Sequence, residues 1–336
     1  MRLFVAPFSR KLVVPFCYGD KKVLERKGWL LKLQNESDNY YAEASPLQGH
    51  SPESWEDVKS FLDGFSLSMH LRKNSADLER LPSLRFALSF LLDPNWKKPG
   101  TFPVRTAVVL GISKDSYQLR AQISKAIENG YSTIKLKVNS RNLMEICEIT
   151  TALVHFSGYK FRIRLDANLL LTAADLENLE SYWQCTPSFR ECLEFIEEPM
   201  SKFWQSEIRQ EVHFPVAADE SLSQPDLAEF LFSPTQAPDY FVIKPSLVGD
   251  LCEIQGLIDK IGSLKKRWLF SSLLESEPGQ RQLLQLSSLF PTRFDQGFGI
   301  QALFEDSFLQ CRAEWDCIPL VLEQEFLNKL PWVEKS

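Results

Sequence analysis

The sequence predicts an α/β protein, a (β/α)7β-type barrel with an α+β capping domain, on three observations. From Val104 onward, short apolar strands alternate with amphipathic helical stretches, the pattern of a parallel sheet with right-handed crossovers. Roughly seven or eight such units in about 200 residues favour a closed barrel over an open sheet. Finally, three successive strands end on acids, in Asp166, in Glu197-Glu198-Pro199 and in Asp219-Glu220-Ser221. Carboxylates at the C-terminal ends of parallel strands suggest a divalent-metal site at a barrel mouth.

Residues 1–100 read as the α+β capping unit, completed by about 308–336, with the barrel over 101–307. Leu12–Phe16, Trp29–Leu33 and Tyr40–Ala44 are strand-like, with turns at Gly19-Asp20 and Asn35–Asn39. Ser51-Pro52-Glu53 carries a cap residue and a first-turn proline, so it predicts a helix start. A second helix is expected from about Ala76 to Leu92, before the polar junction Asp93–Pro103.

The barrel strands are expected near 105–111, 133–138, 161–166, 193–197, 215–219, 240–244 and 267–272. Helices are expected near 116–129, 142–157, 173–183, 201–210, 226–232, 250–262 and 280–289. No GxGxxG follows an early strand and no GxxxxGK(S/T) occurs, which disfavours a nucleotide-binding open sheet.

Side chains alternate along a strand, so parity assigns directions. Arg162, Arg164, Asp166 and Asn168 share one face, and Phe161, Ile163 and Leu165 the other. Lys135 and Lys137 point together, opposite Ile134, Leu136 and Val138. On the later strands Leu193 and Phe195 go with Glu197, Ala217 with Asp219, and Tyr240 and Val242 with Lys244. Glu198 and Glu220 fall on the opposite parity, toward the barrel wall. The order KxK, D, E, D, K sets lysines on either side of three acids, which suits removal of a proton next to a carboxylate. Burying two lysines together should lower the pKa of one and make it a usable base.

Composition excludes other classes. The net charge is -6 and no basic run interleaves with aromatics, so no nucleic-acid partner is expected. No stretch approaches the roughly 18 apolar residues of a membrane span, and no signal peptide is read at the N-terminus. Seven scattered cysteines without a CxxC pair suit reduced thiols and a cytoplasmic location. The four histidines are dispersed, and His155 is expected to be packed on a helix.

The ordered set Lys135-Leu-Lys137, Asp166-Ala-Asn168, Glu197-Glu198-Pro199, Asp219-Glu220-Ser221 and Ile243-Lys244-Pro245 resembles the enolase superfamily, in its muconate-lactonising-type branch. Four further segments, Ala42–Ser51, Arg164–Asn168, Ile243–Gly249 and Ser271–Ser276, are similar to the o-succinylbenzoate synthase family. The resemblance implies a Mg²⁺-dependent dehydratase of menaquinone biosynthesis acting on a small-molecule carboxylate, with N-acylamino acid racemisation or dipeptide epimerisation as the alternative; a non-catalytic barrel scaffold is a further reading. It implies Asp166, Glu197 and Asp219 as metal ligands, Lys137 as base, and Lys244 as the cation facing the enediolate. Lys135, Arg164 and Asn168 would support the site, Ser271 and Ser272 would hold substrate, and the loops around Cys17–Asp20 and Pro46–Ser51 would cap the barrel. Leu273 departs from the small residue that relatives often carry there.

Overall fold

The computed structural model describes residues 1–18, 21–36, 38–67, 76–97, 103–110, 115–157, 160–299, 304–305, 313–315 and 324–335. Its N-terminal part is an antiparallel sheet in the order β13-β1-β2-β3, from β1 (Arg2–Tyr18), β2 (Lys21–Gln34), β3 (Asn39–Ala44) and, from the far end of the chain, β13 (Val333–Lys335). The strands β1 and β2 run well beyond the short apolar cores read from the sequence. Continuous pairing, Arg2 with Gln34 through Lys11 with Glu25, carries polar residues into the ladder. One face packs on the helices Trp55–Asp63 and Pro82–Leu92 through Leu31, Leu33, Ala42, Val58, Leu62 and Leu84.

The first helix begins later than expected. Ser54 is its N-cap, accepting from Asp57 N at 3.1 Å while Asp57 accepts from Ser54 N at 2.8 Å. This reciprocal cap displaces the expected start at Ser51-Pro52. The second helical stretch is two helices, Ala76–Glu79 and Pro82–Leu92, because Pro82 can open a helix but cannot continue one.

Eight parallel strands follow: β4 (Val104–Leu110), β5 (Thr133–Lys137), β6 (Arg162–Asp166), β7 (Leu193–Glu197), β8 (Val216–Ala218), β9 (Tyr240–Ile243), β10 (Arg267–Phe270) and β11 (Gln296–Gly299). From β4 to β10 each pairs with the next, and β11 pairs back with β4. The bridge Ser271↔Gly297 joins the end of β10 to β11 and closes the barrel. Gly297 suits this closure, since a Cβ there would stand 2.6 Å from Ser271 Oγ. The short strand β12 (Glu314–Trp315) adds antiparallel to β4. The expected helices near 201–210 and 226–232 are instead short single turns, Phe203–Gln205 with Ile208–Glu211, and Pro225–Leu227 with Ala228–Leu231.

Parity divides the barrel as the pleat requires. Ile134, Leu136, Ile163, Leu165, Ile196, Val216, Phe241 and Ile243 face the helices in the main core. Phe195, Ala217, Tyr240, Val242 and Leu269 form a second cluster, packed with Phe294. Between β6 and β7 the register slips, with Ile163 opposite Leu193 but Arg164 opposite Phe195. Glu194 is the extra residue of this bulge, an arrangement that re-aims a side chain, and Leu193, expected on the Phe195 face, packs in the main core instead. Among the described residues no helix is long and apolar enough to cross a membrane. His155 lies on the helix Leu143–Ser157 but is exposed rather than packed.

Candidate active site

The C-terminal ends of β5 to β10 open on a cavity lined by Lys135, Lys137, Asp166, Asn168, Asp219, Glu220, Lys244, Ser271 and Ser272. Leu47 and His50 of the N-terminal part cover it, with Leu273 and Leu274 at the wall. The acids are almost wholly enclosed: Asp166 is 1%, Glu197 1% and Asp219 5% exposed. Lys135 lies between two of them, its Nζ 2.7 Å from Asp166 Oδ2 and 2.8 Å from Glu197 Oε1. Lys137 Nζ donates to Asp166 Oδ2 at 2.6 Å and to Asn168 Oδ1 at 2.5 Å. Lys244 Nζ is 2.5 Å from Asp219 Oδ1 on the other side.

Burial alone would lower Lys135 and Lys244, but the surrounding carboxylates outweigh it and hold both above the ordinary lysine range. The acids divide among themselves. Burial raises Asp166, yet Lys135 and Lys137 pull it well below the usual carboxylate range. Burial, then the Asp166 charge, push Glu197 up to about 8, and burial likewise raises Asp219. Three lysines thus stand against the three enclosed carboxylates, and Glu220 adds a fourth acid at the cavity wall. In addition, Asp166 Oδ1 is a buried acceptor with no hydrogen-bond partner. Among the described residues no preformed three-ligand cluster exists. The donor set is nonetheless all-oxygen and buried, with Asp166 Oδ1 left unsatisfied, which fits a hard divalent cation.

The surrounding side chains fix this geometry. Glu198 is fully buried: its Oε1 accepts from Asp219 N at 2.8 Å and Ser221 N at 2.9 Å, and its Oε2 from Ser221 Oγ at 2.7 Å. Burial and then the Glu220 charge push Glu198 up to about 7. It thus holds the backbone that presents Asp219. Asn168, at φ 43°, donates Nδ2 to Glu220 Oε1 at 3.0 Å, which turns its Oδ1 toward Lys137.

Arg164 does not join this group. It points into the barrel on the expected parity but pairs with Glu194 Oε2 at 2.6 Å and Asp295 O at 2.7 Å, deeper in the barrel. The bulge at Glu194 supplies that partner. Ser271 and Ser272 both reach the cavity, with unequal freedom. The Ser272 hydroxyl donates to Glu275 Oε2 and accepts from Gln280 Nε2 at 2.7 Å. Ser271 Oγ has a longer contact, 3.4 Å to Gly297 O. Glu275 Oε1 accepts from Ser246 Oγ at 2.7 Å, tying the segment after Lys244 to the serine pair.

Sequence reasoning missed His50, Glu220 and Glu275. Glu220 was assigned away from the site by strand parity, which ends at Ala218; Glu220 opens a 3-10 turn after the strand. Of the loops expected to cap the barrel, Gly19-Asp20 lie outside the described residues.

Comparison with known proteins places the chain among relatives of one superfamily. Residues 118–290 match the family described as enolase C-terminal domain-like, and residues 8–93 match the MenC N-terminal domain. An o-succinylbenzoate synthase of Escherichia coli O81 (strain ED1a) is 27% identical over 271 residues, covering 80% of this chain and 81% of that protein. That of Proteus mirabilis (strain HI4320) is 26% identical over 309 residues, covering 90% and 91%. The solved o-succinylbenzoate synthase of Thermosynechococcus elongatus BP-1, described as complexed with Mg in the active site, superposes with a TM-score of 0.76 at 22% identity, covering 93% of this chain and 97% of that one. The L-Ala-D/L-Glu epimerase of Bacillus subtilis gives 0.75 at 16% identity, covering 95% and 96%. At these identities the structures speak for the fold, whereas the sequence match over 118–290 spans just over half of the chain: it belongs to the enolase C-terminal domain-like family of the enolase superfamily.

Proposed function

We propose that the chain is an o-succinylbenzoate synthase, which dehydrates 2-succinyl-6-hydroxy-2,4-cyclohexadiene-1-carboxylate to o-succinylbenzoate. The observation that carries this reading over the other activities of the superfamily is the match of the N-terminal residues 8–93 to the MenC N-terminal domain. The two curated relatives above support it, with matches that cover 80% and 90% of this chain.

In this reading Asp166, Glu197 and Asp219 hold Mg²⁺, the assignment that suits their buried oxygens and the unsatisfied Asp166 Oδ1. When bound, the ion would offset the negative charge that develops on the substrate carboxylate. Lys137 is the base. Its neutral amine keeps two N–H bonds, which Asp166 Oδ2 and Asn168 Oδ1 are placed to accept. The lone pair is then left for the proton next to the substrate carboxylate. Lys244, held charged beside Asp219, faces the developing charge from the opposite side. Lys135 neutralises Asp166 and Glu197 from below. Loss of the hydroxyl makes the ring aromatic, so the protein supplies orientation, charge and one proton acceptor.

Incubation with the cyclohexadiene substrate and Mg²⁺ tests this, with o-succinylbenzoate absorbance as the readout. The rival assay follows deuterium exchange at the α-carbon of N-acylamino acids and dipeptides. Exchange there without o-succinylbenzoate formation would replace the dehydratase with a racemase or epimerase.

A further inference from the structure

Lys244 reaches the cavity from the barrel, but one of its two recorded partners comes from the capping side. Its Nζ lies 2.5 Å from Asp219 Oδ1 and 3.3 Å from His50 Nε2. His50 sits in a closely tied turn. His50 N and Ser51 N both donate to Leu47 O at 2.9 Å, and Leu47 N donates to Ser51 Oγ at 2.9 Å. Gly49, at φ 77°, lets the chain reverse there. Just upstream, the buried Arg26 donates to Ser45 O and, at 3.1 Å, to Pro46 O; it also donates to Leu274 O of the barrel at 3.0 Å. The imidazole is therefore presented from a turn fixed on both sides of the joint.

A lysine ammonium can only donate. Nε2 must then be the accepting nitrogen of a neutral ring that carries its proton on Nδ1. We propose that His50 is a positioning residue: it holds the Lys244 ammonium from the capping side and so aims the remaining N–H into the cavity. An ammonium has three tetrahedrally arranged donors. Asp219 alone fixes one and leaves rotation about that contact; a second partner removes the rotation. The charge at Lys244 is the same with or without His50, and only its direction changes. Direction matters most when negative charge builds on the substrate, so the effect belongs in kcat more than in KM. The functional part of this inference rests on the proposed dehydratase reading.

His50→Phe keeps a ring but removes the acceptor, and His50→Gln offers an amide oxygen near the place of Nε2. Phe should lower kcat about tenfold with KM changed by less than about threefold, and Gln should recover to within about threefold of the wild type, the scale of one hydrogen bond to a charged group. Independently of activity, nitrogen-15 NMR of the full chain should show the His50 ring with its proton on Nδ1, the signals being assigned by their loss in His50→Phe. In Lys244→Met the ring should move toward the Nε2-protonated form. A His50→Phe enzyme with wild-type kcat, a Gln variant no better than Phe, or a wild-type ring protonated on Nε2 would each overturn the proposal. Should the wild type make no o-succinylbenzoate, the dehydratase reading falls, and the NMR result alone decides whether His50 holds Lys244.

Discussion

Glu198 is the residue whose removal should most clearly separate metal binding from folding. Its carboxylate is 0% exposed and accepts from two backbone amides, Asp219 N and Ser221 N, and from the Ser221 hydroxyl. Truncation in Glu198→Ala leaves those two amides buried without acceptors, at about 1–3 kcal/mol each. Water entering the gap would recover part of this, so about 3 kcal/mol of local destabilisation is expected. Asp219 is the group that shifts, and Mg²⁺ affinity should fall by roughly 10- to 100-fold, the range for groups that orient metal ligands. Glu198→Gln keeps one oxygen for both amides, while the Ser221 hydroxyl can rotate to accept from the new amide group. Its Mg²⁺ affinity should stay within about threefold of the wild type. Calorimetric titration with Mg²⁺, alongside thermal melting, measures both quantities. Wild-type affinity in Glu198→Ala, or equal losses in both variants, would refute the reasoning. Abolished binding in Glu198→Ala with binding kept in Glu197→Ala would move the ligand by one residue.

Three further outcomes are expected. Lys137→Ala should lose about 10²–10⁴-fold in kcat and stop exchanging the substrate α-proton with deuterium, while Lys244→Arg retains more activity than Lys244→Ala because it keeps the charge. Ser271→Ala should raise KM several-fold at unchanged melting temperature. Ser272→Ala should instead lower stability by about 1–2 kcal/mol, because its hydroxyl is committed to Glu275 and Gln280. Burial raises the Glu43 carboxyl pKa in the folded state, so folding favours its protonated form. Its contribution to stability is then full below the unfolded value of about 4.3 and declines as pH rises from there through the raised folded value. Melting temperatures followed from pH 4 to 8 should show a smaller decline in Glu43→Gln than in the wild type.

The alternation of Lys135 with Lys137, and of Phe195 with Glu197, was legible because a strand has only two faces and apolar residues declare one of them. Seven of the eight barrel strands were legible from repetition; β11, four residues with glycines at 297 and 299, was not. What escaped depended on contacts that sequence spacing does not encode. Arg164 has the right parity, but parity says nothing of depth, and the extra residue in β7 brought Glu194 to it. Glu220 lies beyond the last strand residue, where alternation no longer applies. His50 is 194 positions from Lys244, so only the packing of the cap on the barrel brings them together. Lys135 is held above the ordinary lysine range by two carboxylates within 2.8 Å, contacts that the KxK spacing alone does not show.

Glu43 shows how the two sheets are joined. It sits on β3, yet it accepts from Ser276 N at 3.1 Å, from Gly279 N at 3.2 Å and from the Ser276 hydroxyl, at the start of the barrel helix Glu277–Leu289. Ser276 makes no side-chain cap of its own, so this helix borrows its terminal acceptor from the other half of the molecule. The buried pair Arg10 and Glu277 lies alongside it. Neither half is therefore self-sufficient. A barrel expressed without the first hundred residues would carry a frayed helix directly after its serine pair, and the excised sheet would expose a carboxylate shaped to meet that helix. Chimeras that graft another protein's N-terminal sheet onto this barrel should work only where the graft supplies an acid at the position of Glu43. The unit that can be exchanged by recombination is the sheet together with the helix it caps.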